Sequence, residues 1–140
     1  MTGLPTMNVV TAEEFLSLIL AVLRLRSPDQ PEALSDIELD RRLERAYRRL
    51  SEAGETLGVQ PNFTFYCDPM HGNSARARDA VLAALRKGML QLERSGNLKY
   101  RLRLSQPQAQ SLLARSSIEP DFLRSLVNEV FPKKHARDGA

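Results

Sequence analysis

Apolar side chains recur at three- and four-residue steps through residues 75–87, where Val81, Leu82, Leu85 and then Met89 share one face and Arg76, Asp79, Ala83 and Arg86 share the other. The spacing predicts a helix. Ser74 stands where a hydroxyl takes an orphan amide of the first turn, and Gly88 where a helix ends in a left-handed residue. Past Gly88 the period shortens to two. Leu98, Tyr100, Leu102 and Leu104 alternate with Lys99, Arg101 and Arg103, and Leu90 and Leu92 alternate with Gln91 and Glu93. Ser95-Gly96-Asn97 reverses the chain between these runs. A two-residue loop would set Leu92 against Arg101. A three-residue loop sets Leu92 against Tyr100, Leu90 against Leu102 and Glu93 against Lys99, which gives one apolar and one charged face. The pattern therefore selects the three-residue loop, with Gly96 or Asn97 at positive φ.

The same reading places the other elements. Residues 12–26 are apolar almost all round behind a Thr11/Glu14 capping box, as befits a helix central in a core or one shared with another subunit, of which the core position is favoured. Ser27-Pro28-Asp29-Gln30-Pro31 breaks the chain, and a second helix starts at Ser35 with Glu38 as capping-box partner. Its apolar seam is narrow (Leu39, Leu43, Ala46, Tyr47, Leu50), its solvent side carries the i,i+4 pairs Glu38–Arg42 and Glu44–Arg48, and Gly54 and Gly58 end it. Residues 62–67, Asn-Phe-Thr-Phe-Tyr-Cys, read as a strand pairing with 98–104 to complete a three-stranded sheet. Ser105 caps a short helix to Ala114. A last helix over 120–131 lines up Phe122, Leu123, Leu126, Val127 and Val130, a stripe that either closes the core or, through Phe122, Leu126 and Val130, binds a partner. The expected fold is α+β and mostly helical, about five helices with a small antiparallel sheet. Residues 1–131 form a single globular domain and 132–140 a basic disordered tail.

Charge changes this picture more than composition does. A chain of 140 residues, 42% hydrophobic and 26% charged, is an ordinary globular protein that needs neither disulfides nor metal to hold a core. The net charge of +3 is unevenly placed: residues 1–70 hold seven basic and eleven acidic side chains, residues 71–140 thirteen and six. Within 73–104 alone, eight Lys/Arg face two acids. Cations spaced along a helix and a ribbon are what phosphate contacts require, which makes Arg76, Arg86, Lys87, Lys99, Arg101 and Arg103 candidate nucleic-acid-binding residues. The competing reading is the charged solvent face of an exposed ribbon. Cys67 is the only cysteine, which fits a reducing compartment. The most apolar run, 15–23, is interrupted by Ser17 and too short to span a bilayer, so no membrane association and a cytoplasmic location are expected.

Candidate chemistry is sparse. Cys67 and His71, with Asp68 between them, suggest a thiol–imidazole pair or two metal ligands, but zinc would need two further partners and the pair has no evident oxyanion hole. No Gly-rich phosphate loop and no paired-carboxylate motif occurs. The expectation is a non-enzyme without metal or cofactor. At Phe63-x-Phe65, the Gly72-Asn73-Ser74 helix start, Arg86-Lys87-Gly88-Met89-Leu90 and Tyr100-Arg101-Leu102, the chain resembles winged-helix proteins of bacteria and phages, and antitoxin-type helper domains, over about 45 residues. It departs from the plain pattern where a strand separates the long second helix from the central one. The resemblance bears on the fold, and two functions are expected. One is an interaction module, an accessory subunit bridging larger proteins, for example within a defence or chromosome-maintenance complex, from the apolar helical surface of 15–25 and 122–131 and the lack of a clear recognition helix. The other is a DNA-binding regulator or antitoxin, from the basic helix and ribbon. A protein partner (a homodimer or a larger complex) is expected on the first reading, with nucleic acid as a shared ligand.

Overall fold

The computed structural model describes residues 7–70, 74–94 and 96–132. In chain order the elements are β1 (Asn8–Val10), α1 (Ala12–Arg26), β2 (Ala33–Ser35), α2 (Asp36–Leu57), β3 (Val59–Pro61), α3 (Ala75–Arg86), β4 (Leu90–Glu93), β5 (Lys99–Leu102), α4 (Gln106–Ala114) and α5 (Pro120–Val130). The fold is α+β and mostly helical, with a three-stranded antiparallel sheet of order β2-β5-β4 and a separate parallel pair β1-β3. Among the described residues no helix is long and apolar enough to cross a membrane.

α1 is the element on which the others pack. The Thr11 hydroxyl accepts from the Glu14 amide at 3.1 Å and starts the helix. Phe15, Leu16, Leu18, Ile19, Leu20 and Leu23 are then buried on every side, because α3, α4 and α5 each lie against it. Ser105 and Gln108 form a reciprocal capping box at the start of α4. At the far end of α5 two arginines serve as the cap: Arg42 donates to the Val130 carbonyl and Arg26 to that of Phe131, both at 2.6 Å. Leu126 and Val130 are buried and Phe122 is packed against the core, so the stripe on α5 closes the monomer. Leu126 and Val130 are therefore turned from a partner into the core, while Phe122 stays part-exposed.

The hairpin has the register expected of a three-residue loop, with Leu92 opposite Tyr100, Glu93 opposite Lys99 and Gly96 at φ 76°. Its third strand differs from expectation. Residues 62–67 form no strand; β2 pairs with β5 instead, Leu34 opposite Tyr100. β2 follows the Pro31 break directly and reaches that edge first. Phe63 and Phe65 are anchored by their rings, whose centroids lie 4.7 Å apart in a tilted pair beside Phe15 and Tyr47. The Ser35/Glu38 capping box also fails to form, since Ser35 is the last residue of the β2 ladder and its side chain makes no cap bond.

α2 runs through Gly54 and ends at Gly58, which takes the left-handed conformation at φ 72°. Gly54 stays glycine for space: a Cβ there would sit 2.8 Å from the Val59 carbonyl oxygen, where β3 folds back on the helix. Alanine is the better helix former by about 1 kcal/mol. Even so, Gly54→Ala is expected to lose about 1–2 kcal/mol in urea denaturation, because backbone must shift. A gain in stability would show that β3 yields freely.

Candidate interaction surface

The cations of residues 73–104 are divided between two fates. Arg78 is the hub of a partly buried ion cluster joining α3 to α2 and β5. Its Nε and Nη2 donate to Asp40 Oδ2 at 3.1 and 2.8 Å, and its Nη1 donates to Asp36 Oδ1 and, at 3.2 Å, to the Tyr100 hydroxyl. The Tyr100 hydroxyl in turn donates to Asp36 Oδ1 at 2.8 Å. Burial pushes the Asp36 carboxyl up, but the bonds from Arg78 and Tyr100 outweigh it and leave that group below the usual range. Asp40 is buried deeper, and there burial wins: its carboxyl lies above the usual range despite Arg78. Asp40 Oδ1 meets no partner at full hydrogen-bond geometry among the described residues, although the Ser74 amide still favours the charged form. Burial lowers Arg78, yet its bonds to both acids hold it firmly protonated. Burial raises the Tyr100 hydroxyl, and its bond to Asp36 raises it further.

Of the six candidate nucleic-acid residues, two are also committed internally. Arg76 pairs with Glu13 of α1 at 3.0 Å, and Arg101 grips Glu93 across the hairpin at 2.7 and 3.1 Å. Arg86, Lys87, Lys99 and Arg103 are exposed and have no ion pair among the described residues. They are not brought onto one element: Arg86 and Lys87 end α3, whereas Lys99 and Arg103 belong to the outer face of the sheet and its continuation. On α2, Glu38–Arg42 and Glu44–Arg48 form as i,i+4 pairs.

The outward side of α3 is not basic. Ala75, Asp79, Leu82 and Arg86 are its exposed residues, one acid and one base among two apolar side chains. Leu82 is one turn beyond Arg78, and Ile37, 90% exposed, is next to Asp36 at the start of α2. Each is thus close in sequence to a member of the ion cluster that fastens α3 to α2. Met70 is also almost fully exposed on the segment leading to α3. Sequence periodicity assigned Leu82 to the core face and gave no reason to single out Ile37.

Cys67 sits half-buried with its amide donating to Glu44 Oε2 at 3.0 Å. Burial, and then the Glu44 carboxylate, push its thiol up, the opposite of what a nucleophile or metal ligand requires. His71 and residues 133–140 of the expected tail lie outside the described residues. Among the described residues no group of three His, Cys, Asp or Glu converges as a metal site. Comparison with known protein families, with curated proteins and with solved structures yields no match to this chain.

Proposed function

We propose that the chain is a non-enzymatic docking module of winged-helix type, an accessory subunit that joins larger proteins, with the α2–α3 surface around Ile37 and Leu82 as a protein-binding face. The frame is supported by the element order α1, β2, α2, β3, α3 and the β4–β5 hairpin, with β2 laid beside β5 and the interposed β3 paired with β1 outside that sheet. The observation that carries the reading is the character of α3. Its most central cation, Arg78, is tied to Asp36 and Asp40, and its outward side is nearly neutral and partly apolar. A helix that reads a groove presents free cationic or hydrogen-bonding side chains there, and among its exposed residues α3 offers only Asp79 and Arg86. A face that docks on protein gains from exposed Ile and Leu that a monomer has no use for.

The alternative, a DNA-binding regulator or antitoxin, draws its support from Arg86, Lys87, Lys99 and Arg103, which remain available to phosphates. One experiment separates the two. Generic duplex DNA at two salt concentrations is expected to bind the chain no more tightly than about 10⁻⁴ M at physiological salt, the weak end of non-specific affinity. Ile37→Asp/Leu82→Asp is expected to keep the parent's melting temperature and abolish capture of any protein that the parent retains from a native lysate. Micromolar DNA binding that weakens steeply with salt and vanishes in Arg101→Glu/Arg103→Glu would instead establish the alternative.

A further inference from the structure

We propose that the open edge of β2 is a second docking site, one that takes an extended strand of a protein partner in which apolar and acidic side chains alternate. The inference rests on the docking reading, and a module with a second such surface is able to bridge. The inference begins from register. Asp36 N donates to Leu98 O and Leu102 N to Glu32 O, which, with Leu34 opposite Tyr100, makes residues 32, 34 and 36 the ones bonded to β5. The N–H and C=O groups of Ala33 and the N–H of Ser35 therefore point away from the sheet, and none meets a backbone partner among the described residues. Beside β2 is a groove of about 530 Å³ lined by residues 27–35, the start of α2, Lys99, Phe131 and Pro132. An edge with free backbone groups beside a cleft is the arrangement to which a peptide adds as a strand.

The pleat then fixes the side chains the partner needs. Leu34 faces the core side of the sheet with Tyr100, whereas Ala33 and Ser35 face the other way with Arg101 and Lys99. A strand laid along β2 repeats this alternation. Its residues on the Leu34 side enter the groove, whose solvent-reaching apolar lining includes Pro28, Pro31 and Pro132, because Leu34, Leu39 and Phe131 behind them are buried. Its residues on the other side pass over two small side chains, Ala33 and Ser35, and come within reach of Lys99, which also lines the groove and has no ion pair among the described residues. Glu38 lines it too, but is engaged by Arg42 at 3.2 Å, and Arg42 in turn holds the Val130 carbonyl and lies 5.7 Å above the Phe131 ring. Asp29 is the one uncommitted acid among the groove's lining residues, and it belongs to the loop ahead of the strand. Lys99 thus sets the preference along the strand itself. Pro28 and Pro31 end the edge on one side and the turn into α2 ends it on the other, so one short strand is accepted and open-ended stacking is not.

The test uses the full chain and fluorescein-labelled heptapeptides. A peptide alternating Val and Glu is expected to bind saturably, and one alternating Val and Lys at least about ten-fold more weakly. Ser35→Pro removes the outward donor alone. The residue's φ of −71° suits the proline ring, its N–H is not bonded to β5, and its side chain makes no cap bond to lose. That variant is expected to melt with the parent and bind the Val/Glu peptide about ten-fold more weakly. Lys99→Glu should reverse the charge preference. The proposal is overturned if no peptide binds, if both charge patterns bind alike, or if Ser35→Pro leaves affinity unchanged. It is equally overturned if the parent is a dimer that Ser35→Pro converts to monomer, because the edge would then belong to a second copy.

Discussion

Arg78→Met is expected to destabilise the fold by about 3 kcal/mol at neutral pH, the low end for breaking a buried ion pair. The low end applies because Arg78 keeps 32% of its side-chain surface in water and Asp36 keeps 24%. Asp40 sets the size of the effect, since its side chain is only 4% exposed and would lose the cation bonded to it. The loss should also depend on pH in a definite sense. In the parent, Asp36 lies below the usual carboxylate range, so its share of stability is present above that range and is lost as pH falls through its lowered pKa. Asp40 lies above the range, so its contribution has the opposite sign: it is full in acid and is lost as pH rises through its raised pKa. The two trends offset each other in the parent. Without Arg78 the Asp36 share disappears and Asp40 is pushed higher still. The variant's deficit should therefore shrink as pH is lowered from about 7 to about 4, where Asp40 becomes a neutral buried acid. Urea midpoints across that interval measure it, and a deficit constant with pH would refute the account. Arg78→Lys should not restore the parent, since one ammonium lacks the fork that reaches Asp36, Asp40 and Tyr100 together.

The parts of this architecture that are legible in the sequence are those a single period decides. The β4–β5 register follows from alternation because only one loop length keeps Leu90, Leu92, Tyr100 and Leu102 on one face. The Thr11, Ser74 and Ser105 caps follow from side-chain chemistry at the first apolar step. β2 is not legible, since its three residues between Glu32 and Asp36 are too few to show a period, and its strand state comes from the open edge of β5. Residues 62–67 mislead for the converse reason: their alternation is real, with Phe63 and Phe65 in and Thr64 and Tyr66 out, but no β5 edge is left for them. The ion cluster is hidden by distance along the chain. Asp40 follows Leu39 on the buried side of α2, and its cation arrives 38 residues later. Counting charges adds Arg78 to the basic total of 73–104 without showing that Asp36 and Asp40 neutralise it, and the exposure of Ile37 and Leu82 is visible only in the folded chain.

Phe65→Ala is expected to cost about 3–5 kcal/mol, the range for removing a buried phenyl ring. Phe65 is 1% exposed, and its ring lies 4.7 Å from Phe63, 6.3 Å from Tyr47 and 6.5 Å from Phe15. Truncation thus leaves a cavity where α1, α2 and this segment meet. The consequence extends beyond the cavity because 62–67 has no ladder to fall back on. Beyond the Asn62 amide, which donates to Val10 O, its polar ties are the Cys67 amide to Glu44 and the Tyr47 hydroxyl with Thr64. Losing the ring should therefore release the whole segment, so that the Cys67 amide exchanges with solvent in Phe65→Ala while amides of α1 stay protected. Tyr66→Ala, one residue on and 59% exposed, should stay within about 0.5 kcal/mol of the parent. If Phe65→Ala lost less than about 1 kcal/mol and kept the Cys67 amide protected, backbone pairing rather than ring burial would hold the segment, and the strand expected from its alternation would have to be reinstated.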